Sequence, residues 1–127
     1  MSDAIGDRLD SAIAAIEALR AQSDALLAMG EAIIAGFEAG GTLMTAGNGG
    51  SAVNAMHLAE ELTGRFREDR PALPAMALCC DAAAMTCIAN DFGWDQVFSR
   101  QVEAHVSLTE GDAPQSCDML LICTTSG

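Results

Sequence analysis

Positive charge is the scarcest resource of this chain. Six Lys and Arg stand against 18 Asp and Glu, a formal net charge of −12. Affinity for a nucleic-acid backbone comes from neutralised phosphates, so no nucleic-acid partner is expected. Aromatic residues make up only 4% and there is no Tyr, although half the chain is hydrophobic. The core must therefore come from Ala, Leu, Ile, Val and Met, which favours helices packed closely on one another and on a sheet. The five cysteines (Cys79, Cys80, Cys87, Cys117 and Cys123) form no zinc-ribbon, CxxC or disulfide pattern. They read as buried thiols in a reducing cytoplasm. The N-terminus lacks the basic and apolar regions of a signal peptide, and no apolar run approaches a membrane span. A cytoplasmic protein with no membrane partner is expected, and 127 residues leave room for one core.

What is present falls into two segments. Residues 1–40 read as helical. Leu9, Ile13, Ile16 and Leu19 recur at helical spacing between charged residues, and Leu26, Leu27, Met29, Ile33, Ile34 and Phe37 form a wider apolar surface that stops at Gly40-Gly41. Two such helices ahead of any strand need a partner beyond a small sheet and read as oligomer contacts, with intramolecular packing as the alternative. In residues 41–127 the pattern becomes strand, helix, strand, helix, strand. Apolar runs at Thr42 to Thr45, Leu73 to Cys80 and Met119 to Cys123 alternate with helices predicted from Ser51 to Leu62, from Asp81 through Ile88, and from Asp95 to Val106. Asn90 to Gly93 reads as a turn and Leu108 to Asp118 as a polar loop. This order predicts an α/β fold with a parallel sheet, in which ligands sit beyond the strand C-termini. Polar clusters follow each strand there: Asn48 to Ser51, Asp81, and Thr124 to Ser126.

The first cluster is the centre of the functional reading. Ala46-Gly-Asn-Gly-Gly-Ser51 leaves a strand and opens a helix, and Ser51 is placed to cap it. A turn of this kind gathers N–H groups at the positive end of a helix dipole, a ready place for phosphate even on an acidic protein. The plain alternative is a glycine-rich connection that binds nothing. Further along the same helix, His57, Glu61 and Arg65 stand four apart and so share a face. His57 and Glu61 can chelate a divalent metal or simply be solvated, while Glu60 points about 100° away. Glu61 is the carboxylate expected close to a phosphate at the turn. It suits removal of a proton from a carbon next to a carbonyl, a proton that metal coordination would acidify. Thr124, Thr125 and Ser126 offer hydroxyls to a phosphate or form an ordinary turn, and Asn90 and Asp91 contact sugar hydroxyls or merely shape one.

Ala-Gly-Asn-Gly-Gly-Ser51, Ala55-Met-His-Leu-Ala-Glu-Glu-Leu-Thr-Gly-Arg65, Arg70-Pro71, Ala89-Asn-Asp-Phe-Gly93, Phe98-Ser-Arg100 and Thr125-Ser-Gly127 together resemble the phosphoheptose isomerase branch of the sugar isomerase (SIS) domain family. The resemblance covers most of the chain from Gly41 onward. It implies a flavodoxin-like parallel sheet flanked by helices, a homotetramer packed through the N-terminal helices, and conversion of sedoheptulose 7-phosphate to glycero-manno-heptose 7-phosphate, early in lipopolysaccharide heptose synthesis. It also implies substrate contacts at Asn48, Gly49, Gly50, Asn90, Asp91, Thr124, Thr125 and Ser126, zinc on His57 and Glu61, and Glu61 as acid/base; Ser51, Glu61 and Arg65 join the expected substrate contacts from their place at the turn and along its helix. In the family, further strands and a helix with a Gln and a His follow Thr-Ser-Gly. Here the sequence stops at Gly127, which suggests a truncated form. Ala113 to Cys117 looks inserted and has no assigned role. The alternative function is a SIS-domain phosphosugar-binding or replication-initiation regulatory protein without turnover, or an inactive truncated isomerase.

Overall fold

A computed structural model describes residues 3–106 and 117–125. The chain divides into two compact units, Met1–Ala32 and Ile33–Gly127. The first holds α1 (Asp3–Arg20) and the beginning of α2 (Ser23–Glu38). The apolar stripe of α1, from Ile5 through Leu9, Ile13 and Ile16 to Leu19, is exposed along its length, and α2 buries no residue fully. Among the described residues no helix is long and apolar enough to cross a membrane.

In the second unit α2 ends as Gly40-Gly41 predicts. The Gly40 amide donates to Phe37 at 2.9 Å and the Gly41 amide to Gly36 at 2.9 Å, with Gly40 at φ +86. This is the paired bonding that closes a helix through a left-handed glycine. Three parallel strands follow: β1 (Leu43–Gly47), β2 (Ala75–Ala77) and β3 (Met119–Cys123), in the order β2-β1-β3. Leu43 pairs with Ala75 on one side and Met119 on the other, and Gly47 with Cys123. All five residues of β1 are buried, as a central parallel strand requires. Thr45 answers its burial by donating from Oγ1 to the Ala55 carbonyl of α3 (Gly50–Thr63) at 2.8 Å. Met44, Ala46 and Leu78 form one cluster of the core, with Phe98, Val102 and Val106 packed on it.

The sheet and its helices agree with the predicted α/β class, but several boundaries shift. The run from Leu73 to Cys80 forms only three strand residues. Pro71 and Pro74 cannot donate to a ladder, and the chain turns after Ala77, with the Cys80 amide donating back to its carbonyl at 3.1 Å. Asp81 caps α4 (Ala82–Phe92) by accepting from the Ala84 amide at 2.9 Å. That helix continues past Ile88 and absorbs Asn90 and Asp91, so the expected turn is confined to Gly93, at φ +96. A 3₁₀ turn (Trp94–Gln96) then leads into α5 (Val97–His105). The cysteines are not buried as expected: Cys80, Cys87 and Cys117 are exposed, and Cys79 and Cys123 are half-buried. Most of the predicted polar loop, including Ala113, lies outside the described residues, as does Ser126.

Candidate functional site

The chain leaves β1 towards β2 on one side and later returns to β3 on the other. The C-terminal ends of β1 and β3 therefore flank the point where the winding reverses, which is where open α/β sheets bind ligands. A cavity of about 250 Å³ opens there. Gly47, Asn48 and Ser51 line it from the β1 end, and Cys123, Thr124 and Thr125 from the β3 end, with Phe98 and Ile122 adding apolar surface. Among the described residues it contains no Lys or Arg, so an anion there would rely on amides, hydroxyls and the α3 dipole.

The turn itself differs from expectation at Ser51. The residue before α3 is Gly49, at φ +55 and ψ −125, and no side chain caps the helix. Only glycine takes that conformation without strain, so the helix starts at Gly50 and Ser51 is buried inside its first turn. The Ser51 amide is already engaged, donating to the Asn48 carbonyl at 3.0 Å. A Cβ on Gly49 or Gly50 would meet nothing within 4 Å. Gly47 is different, because its Cβ would fall 2.7 Å from the Ser51 carbonyl group.

His57 and Glu61 line a separate open cleft of about 470 Å³ on the outer face of α3, together with Leu58, Leu62, Asn54 and Phe66. Glu61 lies about 15 Å along the helix axis from Ser51, so the expected closeness of Glu61 to an anion at the turn is not found within this chain. Glu60, expected to point away, reaches His57. His57 Nδ1 is 3.4 Å from Glu60 Oε2, and Nε2 is 3.4 Å from Glu61 Oε1. His57 and Glu60 are about 70% exposed, whereas Glu61 is only 23% exposed. One ligand atom from each of the three residues lies within 4.8 Å of the others. Imidazole and carboxylate are ordinary donors for a divalent cation, so the group fits one.

Arg65 does not extend this face, because α3 ends at Thr63 and the Gly64 amide closes it on Glu60 at 2.7 Å. Asn90 and Asp91 bond to each other at 2.7 Å on the exposed end of α4. None of these three lines either cavity. A larger cavity of about 680 Å³ lies along β2, α4 and α5, with Asp81, Arg100 and His105 among its lining. Burial pushes the Cys79 thiol pKa up, reinforced by neighbouring Cys80.

Sequence reasoning missed Phe98 as a cavity wall, Glu60 as a partner of His57, and Arg70, whose guanidinium bonds the carbonyls ending α3. The i, i+3 spacing of His57 and Glu60 was the available signal for the second.

A parallel sheet with a glycine turn at its winding reversal defines the class, and residues 9–127 match the SIS domain family; the chain belongs to it. Among its relatives, the phosphoheptose isomerase of Streptomyces coelicolor is 44% identical over 113 residues, covering 89% of this chain and 46% of the relative. That of Yersinia pestis is 50% identical over 91 residues, covering 72% and 42%. The solved structure of a phosphoheptose isomerase from Francisella tularensis superposes with a TM-score of 0.82 at 37% identity, covering 98% of this chain and 61% of that one. The Neisseria gonorrhoeae enzyme gives 0.67 at 34% identity, with 96% and 61% covered. The chain thus spans less than half the length of these two curated relatives.

Proposed function

We propose that the chain is a phosphosugar-binding SIS domain of the phosphoheptose isomerase type, interconverting sedoheptulose 7-phosphate and glycero-manno-heptose 7-phosphate in the cytoplasm. The observation that carries the reading is the cavity joining the glycine turn to Thr124 and Thr125. Asn48 and the threonine hydroxyls line the cavity and supply bonds to an anion, Gly49 and Gly50, which do not line it, leave the adjoining turn free of side-chain atoms, and Ser126 follows the threonines in sequence. Glu61 is assigned the proton transfer, taking the proton from the carbon beside the carbonyl so that it can be returned to the adjacent carbon. His57 and Glu61, with Glu60 beside them, would hold a zinc ion, which supplies polarisation of the sugar oxygens when bound. Because Glu61 lines a cleft separate from the cavity, the reading includes a homotetramer. Residues 1–40 form its packing segment, and a neighbouring chain brings a sugar to Glu61, Arg65, Asn90 and Asp91. The same separation favours one alternative, a SIS domain that binds phosphosugar without turning it over.

The test pairs two variants. Gly49→Val should abolish phosphosugar binding in calorimetry, with circular dichroism checking that it folds. Glu61→Gln should leave binding intact and slow exchange of the substrate carbon-bound proton with D2O by roughly 10²-fold or more. Unchanged affinity in the first overturns the binding site. Binding by the wild-type chain with no proton exchange selects the non-catalytic alternative.

A further inference from the structure

The last turn of α3 carries Glu60 and Glu61, and its terminal carbonyls are met by the loop that follows. Arg70 donates from Nη2 to the Glu61 carbonyl at 2.6 Å and from Nη1 to the Leu62 carbonyl at 2.9 Å. Nη1 also donates to the Pro71 carbonyl at 2.9 Å, which anchors the guanidinium to its own loop. The Leu73 amide adds a second bond to Leu62 at 3.1 Å, and Thr63 Oγ1 donates to the Ala75 carbonyl of β2 at 3.1 Å. Helix ends leave carbonyls without intrahelical donors, and a half-buried guanidinium there supplies both charge-assisted bonds and the sign that the dipole favours.

We infer that Arg70 is a positioning residue: it fixes the turn bearing Glu61, so that this carboxylate stays against His57 one turn earlier. The inference rests on the proposed role of Glu61 and His57. His57 lies one turn earlier, beyond the carbonyls that Arg70 bonds, whereas the backbone of Glu61 is bonded directly by Arg70. Without the guanidinium the Glu61 carbonyl loses this donor and the last turn frays. The 3.4 Å approach of Glu61 to His57 Nε2 then opens while the start of α3 and the cavity at Asn48 stay intact. Lysine keeps the charge but has no planar fork to serve two carbonyls at once, so it should restore the arrangement only in part.

The experiment compares wild type, Arg70→Ala and Arg70→Lys in three measurements: amide hydrogen exchange over residues 61–64 in metal-free protein, zinc titration, and inorganic phosphate titration. Arg70→Ala should speed exchange and weaken zinc binding, each by roughly tenfold or more, since two charge-assisted bonds to the helix carbonyls are lost, with phosphate affinity unchanged. Arg70→Lys should fall between. If Arg70→Ala does not fold, the comparison is read on Arg70→Lys. Unchanged exchange overturns the inference, as does a parallel loss of zinc and phosphate, which would mark a general loss of structure. If the wild-type chain takes up no zinc, the metal reading falls by itself and the exchange measurement alone decides the positioning role.

Discussion

Gly47 and Gly49 sit two residues apart and are glycines for different reasons. Gly49 needs its backbone conformation, φ +55, while the space beside it is open. Gly47 ends β1 under the first turn of α3, where a methyl group would meet the Ser51 carbonyl carbon and oxygen at 2.7 Å. Backbone cannot yield as a flexible side chain does. Gly47→Ala should therefore lower stability by about 1–3 kcal/mol and push α3 off β1, read as a fall in Tm. The same substitution at Gly50, with no neighbour within 4 Å and no positive φ, should be close to neutral in the same melt. Equal melting of the two variants would contradict the packing account. At this scale the motif named the residues but not their separate demands, since a glycine in a sequence does not say whether it serves a dihedral angle or a close approach.

Among elements, β3 is the one whose environment the pattern alone could not supply. Its five residues are apolar throughout, which suits a strand buried on both faces, yet it lies at the edge of the described sheet and exposes Leu120 and, at 64%, Ile122. Unpaired apolar edges recruit other strands. Leu120→Lys should reduce aggregation of the 127-residue chain while preserving its circular dichroism spectrum, as measured by light scattering over time. No change in aggregation rate would place the association elsewhere. By contrast, α2 and its closing Gly40 were legible, because helical periodicity and a left-handed C-terminal glycine are local properties. The extent of α4 was misread at Asn90-Asp91, two residues that favour turns in isolation but continue a helix already capped by Asp81.

For the molecule as a whole, two opposed features set the expected behaviour. The N-terminal helix α1 exposes Ile5, Leu9, Ile13 and Ile16, and α2 exposes Leu27 and Ile34, while the chain carries a net charge of −12 that resists association. The expected outcome is an oligomer whose association strengthens with salt up to physiological ionic strength, as the repulsion is screened. Light scattering should find a monodisperse oligomer that is lost on removal of residues 1–38. A monodisperse monomer of the intact chain would rule out the homotetramer.

The sequence by itself determined the local chemistry: which stretches alternate as helix and strand, where glycine and asparagine open a turn, and that any anion on so acidic a chain would meet backbone amides rather than a basic patch. Those follow from spacing and composition. Tertiary structure alone decided the strand order β2-β1-β3, which brings Thr124 and Thr125 to the glycine turn although they are distant in the chain. It also decided that Glu61 lines a separate cleft rather than that cavity, since ten residues of helix set it about 15 Å along the axis from Ser51, a distance that a shared motif does not reveal. Arg70 became meaningful for the same reason. A charged residue in a loop reads as solvated until the fold carries it back to the carbonyls that need it.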